Sequence, residues 1–215
     1  MKQKHWILTF AAIIAVCLLV WLLPRGGGQT ALVYQDGTLF YTLDLRQNRT
    51  LTVTGPCGNG FDTAALAGQY KRIAVVGGGI GTAPLLLLCK ELCRAGVRPD
   101  LFVGFRDTTY GMDRFVPWCR DIYAATDSGK EGHHGLVTDL LDVSKYDIVL
   151  TCGPMVMMRG VAKLCAAAGV PCLASLEKKM ACGLGACLGC TCHTKIGPVT
   201  VCKDGPVFNA QEVFD

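Results

Sequence analysis

The sequence predicts an α/β protein built on a parallel sheet, with a small cysteine-rich module at its C-terminal end and an apolar helix and a short β segment at its N-terminal end. Three observations predict it. From Lys71 to Gly169, short apolar runs alternate with stretches of helical character, the pattern of parallel strands joined by helical crossovers. The first of those runs, RIAVVGGG, ends in consecutive glycines and leads into an apolar helix. Further on, ACGLGACLGCTCHT (181–194) sets four cysteines among glycines and alanines.

Composition bounds the rest. A chain of 215 residues, 51% of them apolar, buries one ordinary core. Its 21 Lys and Arg against 17 Asp and Glu leave a charge of +4. These basic residues are scattered rather than gathered into a stripe, so no nucleic-acid partner is expected. The 13 cysteines are an odd number in a chain long enough to hold its core without disulfides. Reduced thiols, several of them metal ligands, are the expectation.

Residues 1–25 read as a membrane anchor. Trp6 to Leu23 is 18 residues with one Thr and no charge, flanked by Trp6 and Trp21, long enough to cross a hydrocarbon layer of about 30 Å. The alternative is a buried core helix. Lys2 and Lys4 precede the span and Arg25 follows it, so the positive-inside rule places the N-terminus in the cytoplasm and the body outside. Thiolate metal chemistry favours the cytoplasm for the body, and the two arguments conflict. Residues 26–54 form a glycine-rich linker and a β segment, Ala31 to Val53, with Asp36-Gly37 as the turn of a hairpin. The segment resembles the small β domain that follows a membrane anchor in NusG domain II-like proteins, and a plain hairpin is the alternative.

Residues 55–173 carry the alternating elements. Strands are expected at RIAVVGGG, DLFVGF (100–105), DIYAAT (121–126) and YDIVLTCG (146–153), and helices at about 83–95, 134–141 and 155–169. The glycine loop GGGIGTAP (77–84) closes the first strand. Such a loop lets backbone approach a pyrophosphate, and the following helix offers unpaired N–H groups and its positive dipole end. Pro84 suits a first helical turn, where a donor would be orphaned anyway. A plain structural turn is the competing reading. TDSGKEGHHGLVTD (126–139) and CGPMVMM (152–158) also follow strands, where ligands bind on open α/β sheets. His133 and His134 are adjacent on a glycine-flanked loop without ligand-spaced partners, so a solvated loop is expected there.

Residues 174–215 are expected to bind a metal cluster. Cys182, Cys187 and Cys190 form C-x4-C-x2-C, and Cys202 follows after eleven residues. Three clustered thiolates and one distant thiolate are the plant-type [2Fe-2S] pattern. Structural zinc is the main alternative, although zinc more often uses two C-x-x-C knuckles. Disulfides come third. Cys192, two residues beyond Cys190, is a poor co-ligand whose role stays open.

The glycine loop, TDSGKEGHHGLVTD and CGPMVMM together resemble the pyridine-nucleotide domain of the ferredoxin-NADP reductase superfamily. That resemblance implies a nucleotide-binding domain of this type, with Gly77, Gly78, Gly79, Gly81 and Thr82 at the pyrophosphate and Cys152, Gly153, Pro154 and Met155 beside the nicotinamide of NAD(H). Core packing is the plainer role for some of Met155, Met157 and Met158. With GPCGNGF (55–61), SLEKKMACGLGACLGCTCHT and VCKDGPVF, the motifs occur in the order found in electron-transfer subunits of NAD-dependent dihydroorotate dehydrogenases. The resemblance to that family implies that Cys182, Cys187, Cys190 and Cys202 hold a [2Fe-2S] cluster. It also implies FAD, and a catalytic dehydrogenase partner that carries FMN and serves pyrimidine biosynthesis.

Members of that family bind most of their FAD on an N-terminal β-barrel. Pro24 to Thr54 is 31 residues, too short for six strands and their turns, and GNGF alone cannot hold a flavin. A nicotinamide exchanges two electrons as hydride and a [2Fe-2S] centre accepts one, so a flavin is needed between them. Either a separate flavoprotein supplies it, or the protein is a cluster carrier with a vestigial nucleotide domain, or it is a truncated relative that no longer works. An iron-sulfur subunit of another flavin-linked reductase, with sulfide or a ferredoxin as acceptor, and a non-enzymatic membrane-anchored zinc module are the alternative functions. No residue has the character of a nucleophile or general base, so no catalytic residue is expected.

Overall fold

The computed structural model describes residues 30–35, 38–44 and 57–214. The chain divides into two compact units, Met1–Val53 and Thr54–Asp215. In the first, strands β1 (Thr30–Gln35) and β2 (Thr38–Asp44) pair antiparallel on either side of positions 36 and 37, with a bulge at Val33/Tyr34. The apolar run 6–23 lies outside the described residues. Among the described residues, no helix is long and apolar enough to cross a membrane.

The second unit opens with helix α1 (Thr63–Gln69), capped by Asp62, whose side chain accepts from the Ala65 N–H. A seven-stranded sheet follows, built from β3 (Ile73–Gly78), β4 (Asp100–Phe105), β5 (Ile122–Thr126), β6 (His133–His134), β7 (Ile148–Cys152), β8 (Cys172–Ser175) and β11 (Val207–Asn209). Their order is β11-β8-β7-β3-β4-β5-β6, and all neighbours are parallel except β11 and β8. Helices α2 (Thr82–Arg94), α3 (Val137–Leu140) and α4 (Met155–Ala168) cover the sheet, and α5 (Ala210–Val213) closes the chain.

Why the strands are continuously apolar is visible in β3, which is buried throughout. Ile73 and Val75 pack with Leu85, Cys89 and Leu92 of α2, whereas Ala74 and Val76 face the opposite core with Met158, Val161 and Cys165 of α4. Alternate side chains of one strand therefore serve two cores. Each buried leucine, Leu92 among them, contributes roughly 1.5–3 kcal/mol.

At the N-terminal end of β4, the buried carboxylate of Asp100 accepts from Arg120 Nε at 2.9 Å, from Arg120 Nη2 and from the Tyr146 hydroxyl at 2.8 Å. Burial and this carboxylate push the Tyr146 phenol above its ordinary range. That end of the sheet is closed by a satisfied polar network. The C-terminal ends of the strands are left to the loops that matter for function.

Two sequence expectations change in detail. Instead of a helix over 134–141, His133 and His134 pair in parallel with Ala125 and Thr126 as an edge strand, and α3 starts only at Val137. Gly135, at φ 145°, breaks the segment between the two. Residues 174–215 also contribute β11 to the sheet and Cys190, Cys192, Val201, Cys202 and Ala210 to the α4 core.

Candidate functional site

Strands β3 and β7 are adjacent and parallel, with Gly77 opposite Cys152. From β3 the chain moves one way across the sheet to β4, β5 and β6. From β7 it moves the other way to β8. This is a switch point, where the connections diverge and leave a crevice beyond the strand ends. Both glycine-containing turns named from the sequence open into it.

The turns are pressed together. A Cβ on Gly81 would lie 2.6 Å from Gly153 Cα and 2.8 Å from the Cys152 carbonyl oxygen, so no larger residue fits without moving backbone. Gly78 is similarly crowded, its missing Cβ position 2.5 Å from Met157 Sδ and 2.8 Å from Pro154 Cδ. Helix α2 starts at Thr82, directly after a 3-10 turn over Gly79–Gly81 and without a side-chain cap. Within that turn the Thr82 N–H donates to the Gly79 carbonyl, and Pro84 has no N–H to offer. The Thr82 hydroxyl is buried and has no hydrogen-bond partner. An orphaned hydroxyl at the start of the helix, at the positive end of its dipole, fits an anionic group of a ligand.

A cavity of about 470 Å³ runs along these strand ends. Gly78, Gly79 and Pro154, all named from the sequence, line it together with Met157 and with Arg106 and Asp127, to which the sequence reading gave no role. Arg106 directly follows β4 and Asp127 directly follows β5, and those positions were the available signal. Met155 is half-buried against the α4 core, as Met157 also is, and Met158 is fully buried there. A second cavity of about 630 Å³ is lined by Cys152 together with Pro84, Ser175, Lys178, Lys179 and Pro206. Cys152 is 1% exposed, and burial raises its thiol pKa against a smaller lowering by Ser175. At neutral pH it is a neutral thiol at the floor of that cavity.

The cysteine-rich loop follows. Four N–H groups point at three sulfurs: Leu184 and Cys187 at Cys182 Sγ (both 3.4 Å), Gly185 at Cys202 Sγ (3.1 Å), and Cys202 at Cys190 Sγ (3.4 Å). Gly185, at φ 77°, holds a left-handed backbone that aims its N–H inward, and Lys203 packs where its Cβ would be. The Cys187 N–H thus reaches Cys182, and the Cys202 N–H reaches Cys190. The N–H groups of Cys187 and Leu184 hold the Cys182 thiol down at about 6, and the Cys202 N–H lowers Cys190. Among the described residues, no three Cys, His, Asp or Glu side chains converge as ligands of one ion. Cys192 sits buried on β9 (Thr191–Thr194), its Sγ 3.9 Å from the His193 carbonyl oxygen, and takes no part in this pattern. β9 pairs with β10 (Gly197–Thr200), which returns the chain to Cys202.

Sequence reasoning also missed what fastens this loop. Asn59 of GPCGNGF donates from its backbone to the Gly205 carbonyl (2.5 Å) and from Nδ2 to the Lys203 carbonyl (3.1 Å), and accepts from the Val207 N–H. The motif thereby grips the turn just beyond Cys202. The sulfur of Cys57 lies 3.4 Å from where a Cβ on Gly183 would be, so the same segment abuts the cysteine loop. His133 and His134 are exposed on the edge strand, and His133 Nε2 is 3.8 Å from the Asp139 carboxylate.

Residues 177–214 match the family model of the iron-sulfur cluster binding domain of dihydroorotate dehydrogenase B. The electron-transfer subunit of dihydroorotate dehydrogenase B (NAD(+)) from Clostridium perfringens is 47% identical over 165 residues, covering 76% of this chain and 66% of that protein. The corresponding subunit from Clostridium acetobutylicum is 43% identical over 170 residues, 79% of this chain and 67% of its own length. The chain belongs to the family of electron-transfer subunits of dihydroorotate dehydrogenase B. It spans about two thirds of the length of these family members. The subunit from Bacillus caldolyticus is 38% identical over 195 residues, 86% of this chain and 74% of that one. The fold agrees with this membership. A solved NADH-dependent reduced ferredoxin-NADP oxidoreductase, described for flavin-based electron bifurcation, superposes with a TM-score of 0.65 at 29% identity. The superposition covers 76% of this chain and 59% of that one.

Proposed function

We propose that this chain carries electrons between a pyridine nucleotide and a partner dehydrogenase in dihydroorotate oxidation, using a [2Fe-2S] cluster held by Cys182, Cys187, Cys190 and Cys202. The observation that carries the reading is the set of backbone N–H groups aimed at Cys182, Cys190 and Cys202 in a loop with the C-x4-C-x2-C spacing. A binuclear cluster with four cysteine ligands takes two thiolates at each iron, whereas one zinc ion needs four sulfurs around a single point. When bound, the cluster supplies one-electron storage, and a flavin supplies the conversion from two-electron hydride chemistry.

The chain's own residues prepare both sites. The Gly77–Thr82 turn offers a cradle for the pyrophosphate of NAD(H), with the Thr82 hydroxyl, at the positive end of the α2 dipole, as donor. Gly153 and Pro154 bound that crevice, and Cys152 keeps a neutral, buried face toward the 630 Å³ cavity that leads to Lys179 and Pro206 at the base of the cluster module. This cavity is where a flavin would join the two sites. The catalytic partner is then the FMN-carrying dehydrogenase subunit. The uncharged run 6–23 supports a single-pass membrane attachment, and the reduced thiols, against the placement of Lys2 and Lys4, support a cytoplasmic body.

The test is reconstitution. The cluster-loaded chain is mixed with FAD, a catalytic dihydroorotate dehydrogenase subunit, dihydroorotate and NAD+, and NADH is followed at its absorbance maximum. NADH formation that depends on this chain is expected. Dihydroorotate oxidation that reduces an artificial dye but never NAD+, with FAD and the intact cluster present, would overturn the reading.

A further inference from the structure

We propose that Met157 is an oxidation site, at which oxygen transfer from hydrogen peroxide to the thioether sulfur closes the cavity of about 470 Å³ to a pyridine nucleotide; this rests on the reading of that cavity as the nucleotide site. Met157 lies in the first turn of α4 and lines the cavity beside Pro154, Gly78 and Gly79. Long side chains on a helix point back toward its N-terminus. That direction carries the Met157 sulfur over the turn at Gly153 and onto the end of β3.

The contact with both turns is direct. Met157 Sδ lies 2.5 Å and Cε 3.3 Å from where a Cβ on Gly78 would stand, and Cε lies 2.9 Å from the corresponding place on Gly153. Gly78 has φ −133° and ψ 125°, extended values open to any residue, so its backbone does not call for glycine. Space does. One thioether fills the room that two side chains would otherwise take, and an unbranched, polarizable methionine suits so irregular a gap. Met157 thereby sets the spacing between the glycine turn after β3 and the Cys-Gly-Pro turn after β7.

The other described methionines are placed differently. Met158 is 1% exposed and sealed in the core. Met155 and Met112 are half-buried and line neither of the two large cavities, and Met180 lines the 630 Å³ one. Met157 is half-buried, and the 470 Å³ cavity gives access to its sulfur. Hydrogen peroxide passes one oxygen to the sulfur lone pair, the O–O bond breaks and water leaves, so the thioether is oxidised and the peroxide reduced. The product is polar and larger by one oxygen. With Gly78 backbone and Pro154 packed around the sulfur, that oxygen either projects into the cavity or wedges the two turns apart. In the first case its partial negative charge meets the place of the pyrophosphate; in the second the cradle itself opens. Both weaken the binding of an anionic nucleotide. Methionine sulfoxide reductases return the thioether, so the block is reversible.

The experiment treats the cluster-loaded full chain with hydrogen peroxide and removes the excess with catalase. Sulfoxide at each methionine is then followed by peptide mass spectrometry, and NADH affinity by titration calorimetry. Oxidation of Met157 is expected to raise the NADH Kd about tenfold or more, with methionine sulfoxide reductases and dithiothreitol restoring it and dithiothreitol alone leaving it raised. Saturating NADH is expected to slow oxidation of Met157 about fivefold or more relative to Met112. Met157→Leu cannot form the sulfoxide, so its Kd, whatever the starting value, is expected to be the same before and after peroxide. That variant keeps Cys152 and the cluster thiols, so an equal loss of affinity in Met157→Leu and the parent assigns the effect to them and overturns the proposal. An unchanged Kd at full conversion of Met157, equal oxidation of Met157 with and without NADH, or a Met157 left reduced when Met180 is fully oxidised also overturns it. These results leave NADH binding, and with it the nucleotide reading, standing. A parent chain that binds no NADH before peroxide overturns the nucleotide reading and the oxidation site with it.

Discussion

Replacing Gly81 by alanine probes the contact on which the nucleotide site depends. Gly81 has φ −63°, ordinary for any residue, so alanine meets no backbone strain there. The obstacle is space: the new methyl would stand 2.6 Å from Gly153 Cα and 2.8 Å from both Gly153 N and the Cys152 carbonyl oxygen. All three atoms belong to backbone, so no rotamer change relieves the clash. To reach ordinary contact at about 3.4 Å, the two turns must part by about 0.8 Å. Overpacking of this kind costs about 1–3 kcal/mol. If the turns stay together, the cost appears as lost stability, a drop of roughly 2–12 °C in Tm for a unit of this size. If they part, it appears as weaker NADH binding, a rise in Kd of about 5- to 150-fold. Urea denaturation and titration calorimetry with NADH separate the two. Gly68→Ala is the control, because Gly68 lies on exposed helix α1 with nothing within 4 Å of its Cβ position; a gain of about 0.5–1 kcal/mol is expected. Parent-like stability together with parent-like NADH affinity in Gly81→Ala would refute the reasoning.

Further predictions follow from single side chains. Thr82→Val removes a buried hydroxyl without a partner; stability should hold or rise by about 1 kcal/mol while NADH affinity falls about tenfold, read by urea melts and calorimetry. Serine at Cys182, Cys187, Cys190 or Cys202 should abolish or alter the visible spectrum of the cluster, whereas Cys192→Ser should keep it. Asp147 accepts from Lys71 N at 2.9 Å and Arg72 N at 2.8 Å, and these N–H groups, Arg72 foremost, hold its carboxyl below the usual range. Because its folded-state pKa is depressed, the stabilisation is present above the unfolded value of about 3.9 and is lost as pH falls through the folded value. Asp147→Asn should therefore lower the urea midpoint at pH 7, with the difference from the parent protein closing in acid.

What the sequence made legible was what short spacing determines. The glycine turn after β3, the Cys-Gly-Pro turn after β7 and C-x4-C-x2-C are each local patterns, and the fold sets them where local chemistry placed them. The order of strands was not local. It brings Gly77 opposite Cys152, 75 positions apart in sequence, and sets Arg106 and Asp127 along one crevice. Nothing in the residues around Asn59 announces its grip on the turn at Gly205, because that contact exists only once β11 has paired with β8. The helix expected over 134–141 failed for a related reason. Its first residues found hydrogen-bond partners on β5, and an edge strand outcompeted a helical turn beside a glycine. Cys192 was ambiguous by spacing; it lies on β9, buried in the same core as Cys190 and Cys202.

Iron, acid-labile sulfide and the EPR spectrum of the anaerobically reconstituted chain, before and after dithionite, test the central claim most directly. Two irons and two sulfides per chain, with a rhombic signal that appears on reduction, are the expected result. A colourless protein that takes up one zinc per chain and gives no signal would contradict it.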